Sequence, residues 1–184
     1  MLGYKFLAGF TSLAIGAVLA ATGIDSGPKV GANLSAFEPT HVTGQDAGTE
    51  TCPVCKYGNL PAVQVWVNGS PDKGIATLAA NLDKQMADLN KKELKFKSFM
   101  IFKAGDEKKL QGDLASLAKV QALSKVALTW VPKNSEALEL YKINPEARTT
   151  VLVYKDRQVT RKFVNIDVEK DMKALDAAIQ QITK

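Results

Sequence analysis

Two cysteines stand three positions apart in Thr51-Cys52-Pro53-Val54-Cys55-Lys56-Tyr57-Gly58, and they are the only cysteines in the 184 residues. The Cys-x-x-Cys spacing suits a redox disulfide or one half of a metal site. As a redox centre, one sulfur attacks a substrate disulfide or peroxide and the other resolves the mixed intermediate. Pro53 stiffens the small ring, and Lys56 is placed where a cation could stabilise a thiolate. Cys52 and Cys55 are therefore the candidate catalytic residues.

Two other readings of the pair stay open. As a metal knuckle, Cys-Pro-Val-Cys before Gly58 offers two thiolates to one side of a tetrahedron, and the chain carries no second knuckle. His41, Asp46 or Glu50, or a second copy of the chain, would have to complete it. As a staple, the disulfide closes so short a loop that it contributes little chain entropy. The redox reading leads, so no metal and no cofactor are assigned.

Other chemistry finds no support in the sequence. His41, the one histidine, neighbours no nucleophile motif and reads as a surface or edge-strand residue; no Gly-rich phosphate loop or carboxylate pair stands out. Net charge is +5. The basic run Lys91-Lys92-Glu93-Leu94-Lys95-Phe96-Lys97 reads as a solvated helix end, where cations are favoured, rather than a nucleic-acid surface. Trp66, Phe99, Phe102 and Trp130 read as sheet core or rim, and Tyr57 as packing beside the cysteines.

Residues 1–20 read as a signal peptide, with Lys5 ahead of an uncharged run and small residues, Val18 and Ala20, at a cleavage site. An uncleaved membrane anchor is the alternative. Export places the protein in the periplasm or outside the cell, where a disulfide persists. The partners expected there are protein thiols or disulfides, with a membrane only if the leader is retained; oligomeric state is not legible. Residues 21–35 read as an irregular lead-in and 36–184 as one domain.

The elements that must hold the dithiol follow in order. Phe37 to Thr43 predicts an edge strand, limited by Pro39, returning through a Gly44–Gly48 turn to Thr49–Cys52, so that the cysteines end a hairpin. Val63–Val67 predicts a strand covered on both faces. Ser70 predicts a helix cap with Pro71 at the first helical position, and Ile75, Leu78, Leu82 and Met86 mark the buried stripe. A strand over Leu94–Phe102 and a helix begun by Asp106 come next, the latter with a stripe of Leu110, Leu114, Leu117, Val120 and Leu123. A strand over Val126–Val131, a short helix over Ser135–Ile143, a hairpin of Thr149–Tyr154 and Val159–Val164, and a terminal helix capped by Asp167 complete the chain. This alternation predicts an α/β mixed central sheet with helices on both faces and an N-terminal hairpin.

With Val30-Gly31, Phe37 and Val42-Thr43-Gly44 at the start, and Leu140-Tyr141-Lys142-Ile143 and Thr150-Val151-Leu152-Val153-Tyr154-Lys155-Asp156 later, the chain resembles thioredoxin-fold proteins of the redoxin type, the group of alkyl hydroperoxide reductases and thiol-specific antioxidant proteins. Cys-x-x-Cys-x-Tyr-Gly ahead of a Pro-x-Val strand also resembles an exported subgroup. The resemblance implies a thioredoxin-like three-layer sandwich and thiol–disulfide chemistry. In that family the reactive cysteine follows the first central strand. Here Asn68-Gly69-Ser70-Pro71-Asp72 stands in that place, and the dithiol precedes the strand. The family's cis-proline is replaced by Arg148-Thr149-Thr150. An ordinary peroxiredoxin peroxidase is therefore not expected.

Overall fold

A computed structural model of the protein describes residues 23–184, so the expected leader, 1–20, lies outside the described residues. The described chain runs β1 (Thr40–His41), α1 (Pro53–Tyr57), β2 (Ala62–Asn68), α2 (Lys73–Lys91), β3 (Lys97–Ala104), α3 (Glu107–Val120), β4 (Ala127–Pro132), α4 (Glu136–Leu140), β5 (Thr149–Lys155), β6 (Gln158–Val164) and α5 (Met172–Ile182). One six-stranded sheet has the order β1-β4-β3-β2-β5-β6. β2, β3 and β4 are parallel neighbours; β1, β5 and β6 are antiparallel to theirs.

The strand order decides where the helices go. β2, β3 and β4 step across the sheet in one direction, and successive right-handed crossovers that step the same way put their helices on the same face. Accordingly Leu78 and Leu82 of α2, and Leu110 and Leu114 of α3, share one core with Val65, Met100 and Leu128. Leu175, Ile179 and Ile182 of α5 join them. The opposite face carries Trp66, Phe99, Ile101, Leu152 and Tyr154 and is covered by smaller pieces: α1, α4 and the lead-in, through Val54, Ala137, Leu34 and Phe37. Both faces are covered as expected, but among the described residues the face bearing the cysteines has two helices of five residues each.

Several boundaries differ from those the sequence predicts. The N-terminal hairpin is reduced to a closed turn, in which the His41 amide donates to Thr49 O at 2.9 Å and the Gly48 amide to His41 O at 2.9 Å. The strand itself is two residues long and its ladder partner is β4. Val42 and Thr43 both donate to Leu128 O, which ends the regular pairing. β3 starts at Lys97 rather than Leu94, since Glu93 and Lys95 adopt positive φ angles of 61° and 49° that a strand does not accommodate. Val120, placed on the α3 stripe by spacing, is 77% exposed at the helix's last turn. The cap of α2 is Asp72, not Ser70, with the Ile75 amide donating to its Oδ1 at 2.9 Å. Asp167 caps a turn, accepting from the Glu169 amide at 2.9 Å, and α5 begins only at Met172.

One carboxylate ties the α3–β4 connection to α2. Asp83 Oδ1 accepts the amides of Ser124, Lys125 and Val126 at 2.9, 2.6 and 2.8 Å. Hydrogen bonds to an ionised acceptor contribute roughly 1.5–3 kcal/mol each, though a shared acceptor and partial exposure make three of them less than additive. Asp83→Ala should therefore lower the unfolding free energy by about 2–3 kcal/mol, with the loss of protection from hydrogen exchange concentrated at residues 124–126. A change under about 0.5 kcal/mol in a denaturant titration would refute this role.

Candidate functional site

Cys52 and Cys55 are joined in a disulfide with their Cα atoms 5.3 Å apart. The pair does not end a strand. Cys52 occupies the cap position of α1 with Pro53 at the first helical position, where a ring without an amide hydrogen costs nothing. That proline was the sequence signal for a helix here. The Cys55 amide donates to Cys52 Sγ at 3.1 Å, so the sulfur takes the part a Ser or Asp side chain plays in an ordinary cap.

The two cysteines differ in exposure. Cys52 is 9% exposed and packs in the core cluster with Leu34, Phe37 and Trp66, whereas Cys55 lies on the exposed side of the helix. The asymmetry follows from a helix this short lying on the sheet: Pro53 and Val54 turn inward, Cys55 and Lys56 outward.

Lys56 does not face a sulfur. Its Nζ bonds Asp46 Oδ1 at 2.5 Å, pinning the end of α1 to the turn after β1. Tyr57, the last residue of α1, packs against the core cluster that holds Cys52, its ring 5.8 Å from that of Phe99, with Lys97 Nζ 5.8 Å from the Tyr57 centroid. Burial, reinforced by the Asp46 charge, pushes the Tyr57 hydroxyl up to about 12, so it stays neutral and acts as packing rather than as a base. Gly58 ends the helix at a φ of 57° and returns the chain to β2.

The residues proposed to complete a metal knuckle are otherwise engaged. His41 is 2% exposed on β1, and its Nε2 lies 2.8 Å from Thr51 O. Asp46 holds Lys56 and Glu50 accepts weakly from Thr40 Oγ1 at 3.5 Å. Among the described residues no group of three or more His, Cys, Asp or Glu side chains is gathered as a metal site would require.

The opposite end of β2, where the redoxin resemblance places its reactive cysteine, is filled by a clasp. Arg148 Nη2 bonds Asp72 Oδ2 at 2.6 Å and Ser70 O at 2.6 Å, and Nη1 bonds Asn68 O. Asn68 Nδ2 in turn donates to Ala147 O at 2.5 Å and Asn144 O at 3.0 Å. Gly69, at a φ of 94°, both makes the turn and leaves room, since a Cβ there would meet Arg148 Nη1 at 3.3 Å. The peptide before β5 is trans, as are all described ones. An arginine fork and a capping aspartate thus occupy the positions that the redoxin resemblance assigns to cysteine and cis-proline, and the sequence shows only that those two residues are missing.

The clasp has a pH signature. Burial works to raise the Asp72 pKa, but the Ile75 amide and the Arg148 guanidinium together hold it below the ordinary 3.8. A carboxyl depressed in the folded state contributes stability above its unfolded pKa, and that contribution is lost as pH falls through the folded value. Both side chains are over one-third exposed, so Arg148→Ala should cost only about 1–2 kcal/mol near neutral pH, after screening. The gap between wild type and variant should narrow as pH is lowered below the ordinary 3.8. Urea titrations across that range test this, and a constant gap would exclude the ion pair as its source.

No protein-family model and no curated protein matches the chain. Solved structures do. A Bacteroides thetaiotaomicron protein proposed as a protein disulfide isomerase superposes with a TM-score of 0.67 at 12% identity, over 87% of this chain and 94% of that one. A Chlorobium tepidum protein proposed as the thiol:disulfide interchange protein DsbE gives 0.62 at 12% identity, over 88% and 100%. Peroxidoxin BcpB from Mycobacterium tuberculosis gives 0.63 at 18% identity, over 84% and 97%. Likeness at this identity shows the fold alone: the chain is thioredoxin-like.

Proposed function

We propose that the protein is an exported thiol–disulfide exchange protein of the cell envelope, with Cys52 and Cys55 as its redox pair and protein thiols or disulfides as its partners. The observation that carries this is the asymmetry of the pair: Cys55 is open to an incoming thiolate, while Cys52 is buried with an amide hydrogen aimed at its sulfur at 3.1 Å. A substrate thiolate attacks Cys55 Sγ in line with the Cys52–Cys55 bond. That bond breaks, and Cys52 leaves as a thiolate stabilised by the Cys55 amide. A second substrate thiolate then attacks its own sulfur in the mixed disulfide, releasing the Cys55 thiolate. Two electrons pass to the protein and the substrate dithiol becomes a disulfide; the protons released are taken up by solvent and the two protein thiolates. Run backwards, the same steps reduce a substrate disulfide.

The leader read in residues 1–20 supports export, and the names of the solved structures that share the fold agree with exchange. A structural staple is the second reading, favoured by the burial of Cys52. Its reach is small, because closing a loop of about four residues contributes roughly 2 kcal/mol in the chain-entropy treatment, against nearly 5 for a hundred-residue loop. The deciding experiment is the reduction potential of the pair by thiol trapping across a glutathione series, with metal assayed in the same sample. A potential of about −270 to −120 mV is expected for an exchange protein, and a value below roughly −300 mV would leave the staple. Stoichiometric zinc or iron in the sample would overturn both.

A further inference from the structure

An open cleft of about 740 Å³ has polar walls of Gln45, Asn90, Lys91, Lys97, Ser124 and Lys125, with no carboxylate among its lining residues. A second hollow of about 730 Å³ shares Asn90 and Lys97 with it and adds Lys95, with Glu93 the one acidic group. Lys91, Lys95, Lys97 and Lys125 take part in none of the ion pairs among the described residues. Asn90 Oδ1, in the shared wall, is buried without a hydrogen-bond partner. The walls are fixed: the amides of Ser124 and Lys125 are held by Asp83, and Gly44 approaches Ala127 so closely that a Cβ would meet its Cβ at 3.0 Å.

The cleft is tied to the redox pair through both residues that follow Cys55. Lys56 is bonded to Asp46, next to Gln45 of the cleft wall, and Tyr57 lies under Lys97. From this we infer that the cleft is the docking site for the thiol-bearing substrate, an acidic polypeptide segment with carboxylates flanking its cysteine. The inference rests on the exchange reading above. Carboxylates answer the unpaired lysines, and a polypeptide can present several of them across the two adjoining hollows, which a small free anion cannot. Three or four like charges around a recess steer such a chain toward Cys55 and give the reaction a salt dependence.

The test uses three peptides of equal length, each with one cysteine flanked by glutamates, serines or lysines, reacted with the oxidised full chain. Rates are compared per thiolate, because acidic flanks raise the peptide's own thiol pKa. The acidic peptide is expected to react at least about tenfold faster than the neutral one at low salt, with the lysine peptide slowest and the spread collapsing at 1 M salt. Lys91→Glu combined with Lys125→Glu should reverse the order, and it leaves the Lys97–Tyr57 contact intact. Binding of the acidic peptide with serine in place of cysteine, read by fluorescence anisotropy, reports the cleft independently of exchange. Equal rates per thiolate with all three peptides would overturn the cleft and leave exchange standing. No reaction with any peptide, while the serine peptide still binds and the double variant abolishes that binding, would overturn exchange but keep the cleft. Tighter binding of a single-stranded oligonucleotide of the same charge would overturn the choice of a polypeptide.

Discussion

Cys52→Ser is expected to trap a mixed disulfide with an added disulfide substrate, its Cys55 thiolate attacking one substrate sulfur and expelling the other as a thiolate, whereas Cys55→Ser is expected to trap almost none. The two variants each keep one sulfur, and the structure makes those sulfurs unequal. Cys55 is exposed; Cys52 packs in the core at 9% exposure. A competing effect runs the other way, because the amide at position 55 still points at Cys52 Sγ in the serine variant and favours its thiolate. Access should decide the outcome, since the intrinsic nucleophilicity of a thiolate falls as its pKa falls, which offsets much of what a larger thiolate fraction gains. With an aromatic disulfide reagent, the thiol of Cys52→Ser should react at least about tenfold faster than that of Cys55→Ser. Equal rates would place the point of entry elsewhere. Failure of both thiols to react in the folded protein would remove exchange altogether.

Trp66→Ala should produce the largest loss of stability of any single truncation on the disulfide's side of the sheet. The indole is 2% exposed at the centre of β2, with ring centroids 5.1 Å from Phe37 and 5.0 Å from Tyr141. Truncating a buried tryptophan costs roughly 3–5 kcal/mol through lost burial and the cavity left behind. Trp66 Nε1 is buried without a partner, so the wild type already carries one uncompensated polar group, which moves the estimate to about 3–4 kcal/mol. For a domain of this size that corresponds to a fall in Tm of about 10 °C. Trp66→Phe keeps most of the ring contacts and should cost less than about 2 kcal/mol. Thermal scans of the two variants check both figures; near-identical values would mean that α4 and the lead-in collapse onto the smaller side chain. The alanine variant should also loosen Phe37, and with it the segment that covers Cys52, so its pair should become easier to reduce.

The hydrophobic period carries the strands and helices of this fold because it is a local property. Leu78, Leu82, Leu110 and Leu114 fall on helical faces at any register of the sheet, and Val63 to Val67 reads as a doubly covered strand before its neighbours are known. The same local chemistry marks Cys52-Pro53-Val54-Cys55 as the one place for thiol chemistry and shows that neither a cysteine after β2 nor a proline before β5 is present. What those absences become is not local. The Arg148–Asp72 clasp joins residues 76 positions apart, and no spacing rule pairs them.

The same limit explains the N-terminal region and the surface. Thr40 and His41 could pair with Thr49–Cys52 by proximity, yet β4 offers an open edge some 90 residues later, and ladder choice depends on that competition. The run from Lys91 to Lys97 shows only its charge in sequence, with the solvated reading as its consequence. It takes the folded chain to bring Lys125 and Gln45 together with it around one cleft. Sequence determined which residues can react and which faces are apolar, through side-chain chemistry and the period of the backbone. Tertiary structure decided which cysteine meets solvent and which charges gather in the cleft, because exposure and field are sums over distant segments.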